Sequence, residues 1–445
     1  MSLSIERRGL EPVPASERRG RPRDQFTLWF AANLGFPAWA LGLIAVGLGM
    51  NLRDAVIAIV VGNLVGAALV ALPAALGPET GLPQLPLSRV AFGHRGTYVP
   101  AGLNVLATLG WFTVNTILGA QALAQLLGGD LPLALLLLTA VQVTLAMWGH
   151  DLIHRVERYA AVVLLVLFLV MTRVLAPGLG PSELKTAAGG LGPFLLATAI
   201  IASYLFSWAP YAADYSRYLP ASVGRARPGW YAFAGSFIAT TWVEVLGALT
   251  AVRAPGLSPI VALAHVMGPL KPYALVAVVL GTITANVLNV YTGATSALTL
   301  DLRTSRARMA LIFGLAGLVL AFLGARGFDS DYENFLLLIS YWVAPWIAIM
   351  LAEFYGSHGR EDGARPAVIR PFGRRALLAF GLGVASAVPF MNQGLYEGPV
   401  ARLLGGGDVG YYVAFIVAYA VYRLARPRAE APAAALSAPP GSPAP

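Results

Sequence analysis

The sequence predicts an all-α membrane protein with twelve transmembrane helices, and three observations carry that prediction. The 445-residue chain is 57% hydrophobic and 12% charged, about half the charged fraction of a soluble domain. Twelve apolar runs each approach or exceed the ~20 residues that cross ~30 Å of hydrocarbon. The basic residues alternate in density from one connecting loop to the next.

The runs lie near 26–50, 53–77, 97–128, 131–149, 157–176, 192–218, 229–252, 271–299, 307–325, 333–355, 375–393 and 409–425, and are called spans 1 to 12. With the N-terminus in the cytoplasm, the terminal segments and the even-numbered loops hold 24 of the 31 Lys and Arg. This is the positive-inside pattern. It predicts a multi-pass protein of the cell membrane with both termini cytoplasmic. The net charge of +9 then reads as topology and contact with anionic lipid, not as a nucleic-acid surface. Residues 1–25 are polar and Arg-rich, unlike the short n-region of a signal peptide, and are expected to form a cytoplasmic tail. Residues 426–445 are Pro/Ala-rich and expected to be disordered. The absence of Cys excludes disulfides and thiolate chemistry.

Spans 1 and 6 break their own pattern. Span 1 contains "NLGFPAWALG", Asn33 to Gly42, and span 6 contains "SWAPYAAD", Ser207 to Asp214. Each sets Pro beside Trp and small residues. Pro removes a backbone donor and crowds the preceding turn. Irregular backbone at membrane depth persists only where protein or a water-filled cavity surrounds it. The two spans lie five apart, which inverts their orientation. The loops after spans 2 and 7 share that offset, both being long and partly apolar: "GPETGLPQLPLSRVAFGHRG" and "APGLSPIVALAHVMGPL". Broken helices at matching places in two inverted halves point to a transporter with a site near the midplane. A pair of functionless Pro kinks is the competing interpretation.

Spans 3 and 8, again five apart, carry polar stripes. Trp111 and Asn115 are spaced i, i+4 and share a helix face, with Thr108 one turn earlier. Thr282, Asn286, Asn289 and Gly293 align along span 8. Such residues serve either as interhelical hydrogen bonds or as ligand contacts. Glu244 in span 7 is the one carboxylate near the middle of a span, whereas Asp214 and Glu353 sit toward span ends. An intramembrane acid is either functional or a hydrogen-bonded structural group. The five His fall in loops or at span ends. No HExxH, Walker loop or intramembrane aspartate pair is present, so intramembrane proteolysis and ATP-driven pumping lack their residues. The chain is not expected to be an enzyme.

Four stretches carry a family resemblance: the loop after span 2, "GWFTVNTILGAQAL", "SWAPYAADYSRYLP" and "TANVLNVYTGATSAL". Through them the chain resembles the nucleobase–cation symporter family of purine, cytosine and hydantoin permeases, closest to the cytosine/purine branch. The resemblance implies a leucine-transporter type fold. Inverted repeats would occupy 26–176 (spans 1–5) and 192–355 (spans 6–10), with two further helices in 375–425. It implies cation-coupled import of a nucleobase or similar neutral heterocycle by alternating access. Trp111 would stack on the base, Asn115 would bind its edge, and Phe206, Ser207 and Trp208 would close the other side, with Asn289 reaching in from span 8. A sodium ion would lie between carbonyls near Gly35 and Ala38 and the span 8 pair Thr284 and Asn286. Ala285 stands where sodium-coupled relatives have a hydroxyl. A proton carried by Glu244 or Asp214 is therefore the alternative coupling ion. An amino-acid symporter of the same fold is the alternative function, and a channel is less favoured because no filter motif is legible.

Overall fold

The computed structural model describes residues 10–148, 150–177, 189–356 and 369–425; the tail expected to be disordered lies outside them. A helix stands over each of the twelve apolar runs. Span 1 is two helices, Asp24–Ala32 and Phe36–Gly47, bent by 59° at the break. Spans 2 to 5 are Leu52–Ala74, Tyr98–Leu127, Leu131–Trp148 and His150–Leu175. Span 6 is Leu191–Phe206, prolonged through a 3-10 turn at Ala209–Tyr211 into Ala212–Ser216. Spans 7 to 12 are Ala226–Arg253, Lys271–Thr299, Arg306–Gly324, Phe328–Phe354, Arg374–Ala387 and Gly410–Leu424. Among the described residues, seven of these are individually long and apolar enough to cross a membrane, and the bent pair of span 1 makes an eighth. Spans 4, 5 and 12 are shorter apolar helices.

Local chemistry explains the ends. Asn51 caps span 2 by accepting the Asp54 N–H at 2.8 Å, satisfying one of the free donors of a first turn. Pro37 is the second residue of its helix, where the missing N–H costs nothing, so the chain restarts there after breaking. Span 11 was expected to run to 393 but stops at Ala387. Pro389 falls in a 3-10 turn, Val388–Phe390, and the chain then forms a two-residue antiparallel ladder, Asn392–Gln393 with Tyr396–Glu397. The loop after span 2 folds into three single turns, Gly77–Thr80, Gln84–Leu87 and Arg89–Phe92. The loop after span 7 holds one helix, Pro259–Met267.

Packing sorts the first ten spans into two groups. Spans 1, 2, 6 and 7 form one bundle, through contacts of 1 with 7, 2 with 6 and 2 with 7. Spans 3, 4, 8 and 9 form the other, through 3 with 8, 4 with 9, 3 with 9 and 4 with 8. Span 5 touches spans 7 and 8, and span 10 touches spans 2, 3 and 6. Apart from the contact of span 6 with span 10, each of these contacts maps onto itself or onto another when every span is shifted by five, as an inverted repeat requires. Spans 10, 11 and 12 pack on one another.

The loops segregate by parity. On one face Arg18 donates to the Pro78 carbonyl at 2.6 Å, Arg225 pairs with Glu79 at 2.5 Å, His94 meets Asp301 at 2.8 Å and the His94 N–H reaches the Arg370 carbonyl at 2.8 Å. These join the N-terminal segment to the loops after spans 2, 6, 8 and 10. On the other face Arg253 donates to the Pro177 carbonyl at 2.6 Å, and Gly192 packs against Gly405. Helices that cross alternately require this separation.

Candidate functional site: an aromatic box between the broken spans

Trp111 lies in the middle of span 3, only 7% exposed. Three rings meet it edge-to-face: Tyr204 of span 6 at 5.6 Å, and Tyr332 and Phe335 of span 10 at 5.9 and 5.3 Å. T-shaped pairs at these separations are the favoured aromatic geometry. The box stands one turn before the interruption of span 6, because Tyr204 precedes Trp208 by four residues. It touches the break in span 1 through Tyr332, whose hydroxyl donates to the Pro37 carbonyl at 3.2 Å.

Asn115 supplies the polar atom. Its Nδ2 donates to the Trp111 carbonyl at 2.9 Å, leaving Oδ1 buried with no partner. Asn33, at the break of span 1, repeats this arrangement: Nδ2 donates to the Trp29 carbonyl at 2.8 Å and Oδ1 is unpartnered. A buried acceptor without a donor is costly, and one of the two, Asn33, sits at the break of span 1.

The span 6 residues diverge. Phe206 turns to span 12, where its ring lies 5.5 Å from Tyr411. Ser207 bonds to the Tyr204 carbonyl at 2.6 Å within its own turn. Trp208 packs edge-on against Trp29 and Tyr211. The tertiary structure thus brings Trp111 to Tyr204 and sets Trp208 against Trp29 and Tyr211.

The polar stripe of span 8 forms a chain of hydrogen bonds. Asn289 donates to Asn286 Oδ1 at 3.1 Å, and Asn286 Nδ2 donates to the Phe112 carbonyl at 2.9 Å and to Thr116 at 3.0 Å. Thr116 continues to Gln142 of span 4 at 2.9 Å. All the polar side-chain atoms of Asn286 are engaged, and it ties span 8 to span 3. Thr284 bonds to its own helix at the Gly281 carbonyl, 2.9 Å. Gly35 takes an extended backbone conformation ahead of the second helix of span 1, its carbonyl accepting the Trp39 N–H at 3.2 Å. Ala38 is fully buried one turn in. Span 8 touches that helix.

Glu244 is fully buried in span 7. Asn63 of span 2 donates to Oε2 at 2.6 Å, while Oε1 has no partner. No Lys or Arg among the described residues forms an ion pair with it. Asp214 has a different setting. It accepts the Gln84 N–H at 2.6 Å while Gln84 Oε1 accepts the Ala213 N–H at 3.3 Å, pinning the end of span 6 to the loop after span 2.

Sequence reasoning missed Tyr204, Tyr332, Phe335 and Asn63. Tyr332 and Phe335 are spaced i, i+3, and Asn63 is a lone amide in the apolar run "IVVGNLVGAAL". Each pattern is legible, but neither indicates a partner on a distant span.

Comparison with known proteins places this architecture. The model of a family described as permeases for cytosine/purines, uracil, thiamine and allantoin matches residues 12–414. The chain is 34% identical to the putative purine-cytosine permease YxlA of Bacillus subtilis over 96% of this chain and 97% of that protein. It is 28% identical to the purine-cytosine permease fcyB of Emericella nidulans over 96% of this chain and 89% of that one. Its fold is similar to that of the inward-facing conformation of Mhp1, with a TM-score of 0.76 at 20% identity over 95% of this chain and 94% of that one. The closed conformation of Mhp1, described as a nucleobase-cation-symport-1 family transporter with bromovinylhydantoin bound, gives a TM-score of 0.74 at 20% identity over 95% of both chains. The expected leucine-transporter type fold is therefore the observed one. With a family model that spans most of its length and relatives that align almost end to end, this chain belongs to the family of permeases for cytosine/purines, uracil, thiamine and allantoin.

Proposed function

We propose that the protein is a secondary active transporter of the cell membrane that imports a nucleobase or related neutral heterocycle by cation-coupled symport. The observation that carries this reading is Trp111 in its aromatic box, with the free Asn115 Oδ1 one turn away and both broken spans adjoining. A flat ring and an amide suit a planar, uncharged, hydrogen-bonding solute, and no basic side chain among the described residues meets the rings of the box to hold a carboxylate. The relatives named as purine-cytosine permeases support the same substrate class. The Arg-rich face, where the N-terminal segment joins the even-numbered loops, is the cytoplasmic one on the positive-inside rule.

Two oxygen sets compete for the coupling ion. Carbonyls near Gly35 and Ala38 with Thr284 and Asn286 would take sodium. Glu244 would take a proton. The second is better supported. Asn286 has no free polar atom, whereas Glu244 Oε1 is buried and unpartnered. An unpaired carboxylate at that depth is expensive, so a neutral carboxyl fits the site better than a charged one.

Counterflow in proteoliposomes tests the function. Vesicles loaded with unlabelled cytosine or adenine should transiently accumulate the labelled base above its equilibrium level, because only a carrier with alternating access exchanges in this way. Equilibration without overshoot would point to a channel, and no uptake of any base would remove the substrate class.

A further inference from the structure

We propose that Tyr332 is a positioning residue that couples the aromatic box to the break in span 1. This rests on Trp111 being the substrate platform. Tyr332 is 1% exposed and belongs to span 10, which touches span 2 of one bundle and span 3 of the other. Its ring meets Trp111 edge-to-face and lies nearly parallel to Phe328 at 5.5 Å. Its hydroxyl crosses to the Pro37 carbonyl, in the first turn after the 59° bend. One rigid side chain therefore touches the scaffold helix that carries the platform and the bundle helix that restarts after the break.

The contact has a mechanical consequence. Span 3 and span 1 belong to different bundles, and alternating access requires one bundle to move against the other. A solute settling on Trp111 must displace or tilt a ring of the box, since three edges already surround the indole. The Tyr332 hydroxyl lies on the ring's own axis and moves only when the whole side chain pivots at χ1, so a solute that displaces the ring carries the hydroxyl with it and links occupancy of the box to the bond with Pro37. A ligand shifts a conformational equilibrium only through such a differential contact. Phe335 cannot make this link, having no polar atom, and the close approach of its ring to Gly110 of span 3 holds it to the scaffold.

The test uses Tyr332→Phe, which keeps the ring and removes the hydroxyl, in a chain that has no native Cys. A single probe, Ala32→Cys at the break, reports on span 1 through its rate of labelling by a membrane-impermeant maleimide. With Tyr332 intact, cytosine or adenine should change the labelling rate at least threefold. In Tyr332→Phe the base should still bind, within about threefold of the original affinity by tryptophan fluorescence, but should no longer change the labelling, and the maximal uptake rate should fall at least fivefold. Unchanged labelling response and uptake in Tyr332→Phe would reduce Tyr332 to packing and overturn the proposal. Loss of base binding in Tyr332→Phe would make the hydroxyl a substrate contact and overturn it too. If the intact protein binds no base, the transport reading fails by itself. The linkage to span 1 is then judged by labelling without ligand, which should differ between the protein with Tyr332 intact and the Tyr332→Phe variant, and would refute the contact if it did not.

Discussion

At the scale of single residues, the proposed site is an aromatic platform with a polar atom left over. Aromatic stacking of a base contributes about 1–3 kcal/mol. Trp111→Ala is therefore expected to weaken base binding about tenfold or more while the protein still folds and inserts, measured by isothermal titration beside a thermal melt. Unchanged affinity in a folded variant would remove Trp111 from the site. The amides of span 8 separate by their bonds. Asn286 donates twice into span 3, so Asn286→Leu strips partners from the Phe112 carbonyl and Thr116 and should cost about 1–3 kcal/mol of stability. Asn289 makes one bond, to Asn286, and is half-buried. Asn289→Leu should lower base recognition more than it lowers the melting temperature, and an unchanged substrate ranking with reduced stability would make it an interhelical tie alone. Of these residues, Trp111, Asn115 and Asn289 were legible as a stripe because a helix repeats its face every three to four residues. Tyr332 and Tyr204 were not, because their role exists only where three spans converge.

At the scale of the elements, broken span 1 depends on an unusually close neighbour. The carbonyl of Trp39 and the backbone of Glu244 lie so near that a Cβ on Gly247 or Gly42 would overlap them, and Trp39 Nε1 donates to Thr250 at 3.3 Å. Spans 1 and 7 thus meet backbone to backbone, as small residues allow in membranes. Gly247→Val should push span 1 outward, with an overpacking cost of about 1–3 kcal/mol, read as a lower melting temperature in detergent. Gly47→Val, where nothing lies within 4 Å, should be tolerated. Equal melting of the two variants would contradict the close approach. The sequence showed both Pro breaks, and both spans are interrupted, yet among the described residues only span 1 is bent by more than 40°. In span 6 the 3-10 turn at Ala209–Tyr211 carries the helix across Pro210, whereas Asn33–Gly35 leaves the helical path before Pro37. That outcome depends on what each break packs against and has no local sequence signature.

At the scale of the whole molecule, the prediction concerns the ion. A coupled ion must tighten substrate binding, and substrate must tighten ion binding equally. With the proton on Glu244, base uptake should follow an imposed inward proton gradient, rise as the outside pH falls, and collapse in Glu244→Gln, with sodium and potassium equivalent. If sodium instead tightens base binding at fixed pH and Thr284→Val removes that effect, the sodium site is the correct one. The amino-acid sequence by itself determined the class, the twelve apolar runs over which helices stand, the alternation of their loops and the five-span offset, since each follows from hydrocarbon thickness, charge placement and helical periodicity acting locally along the chain. It also determined which helices carry the polar stripes. Only the tertiary structure decided which polar atoms are left without partners and which join helices. Asn115 Oδ1 and Glu244 Oε1 are left without partners while Asn286 is fully engaged. Hydrogen-bond satisfaction is a property of contacts between residues far apart in the chain, so it is fixed only when the two bundles close on each other.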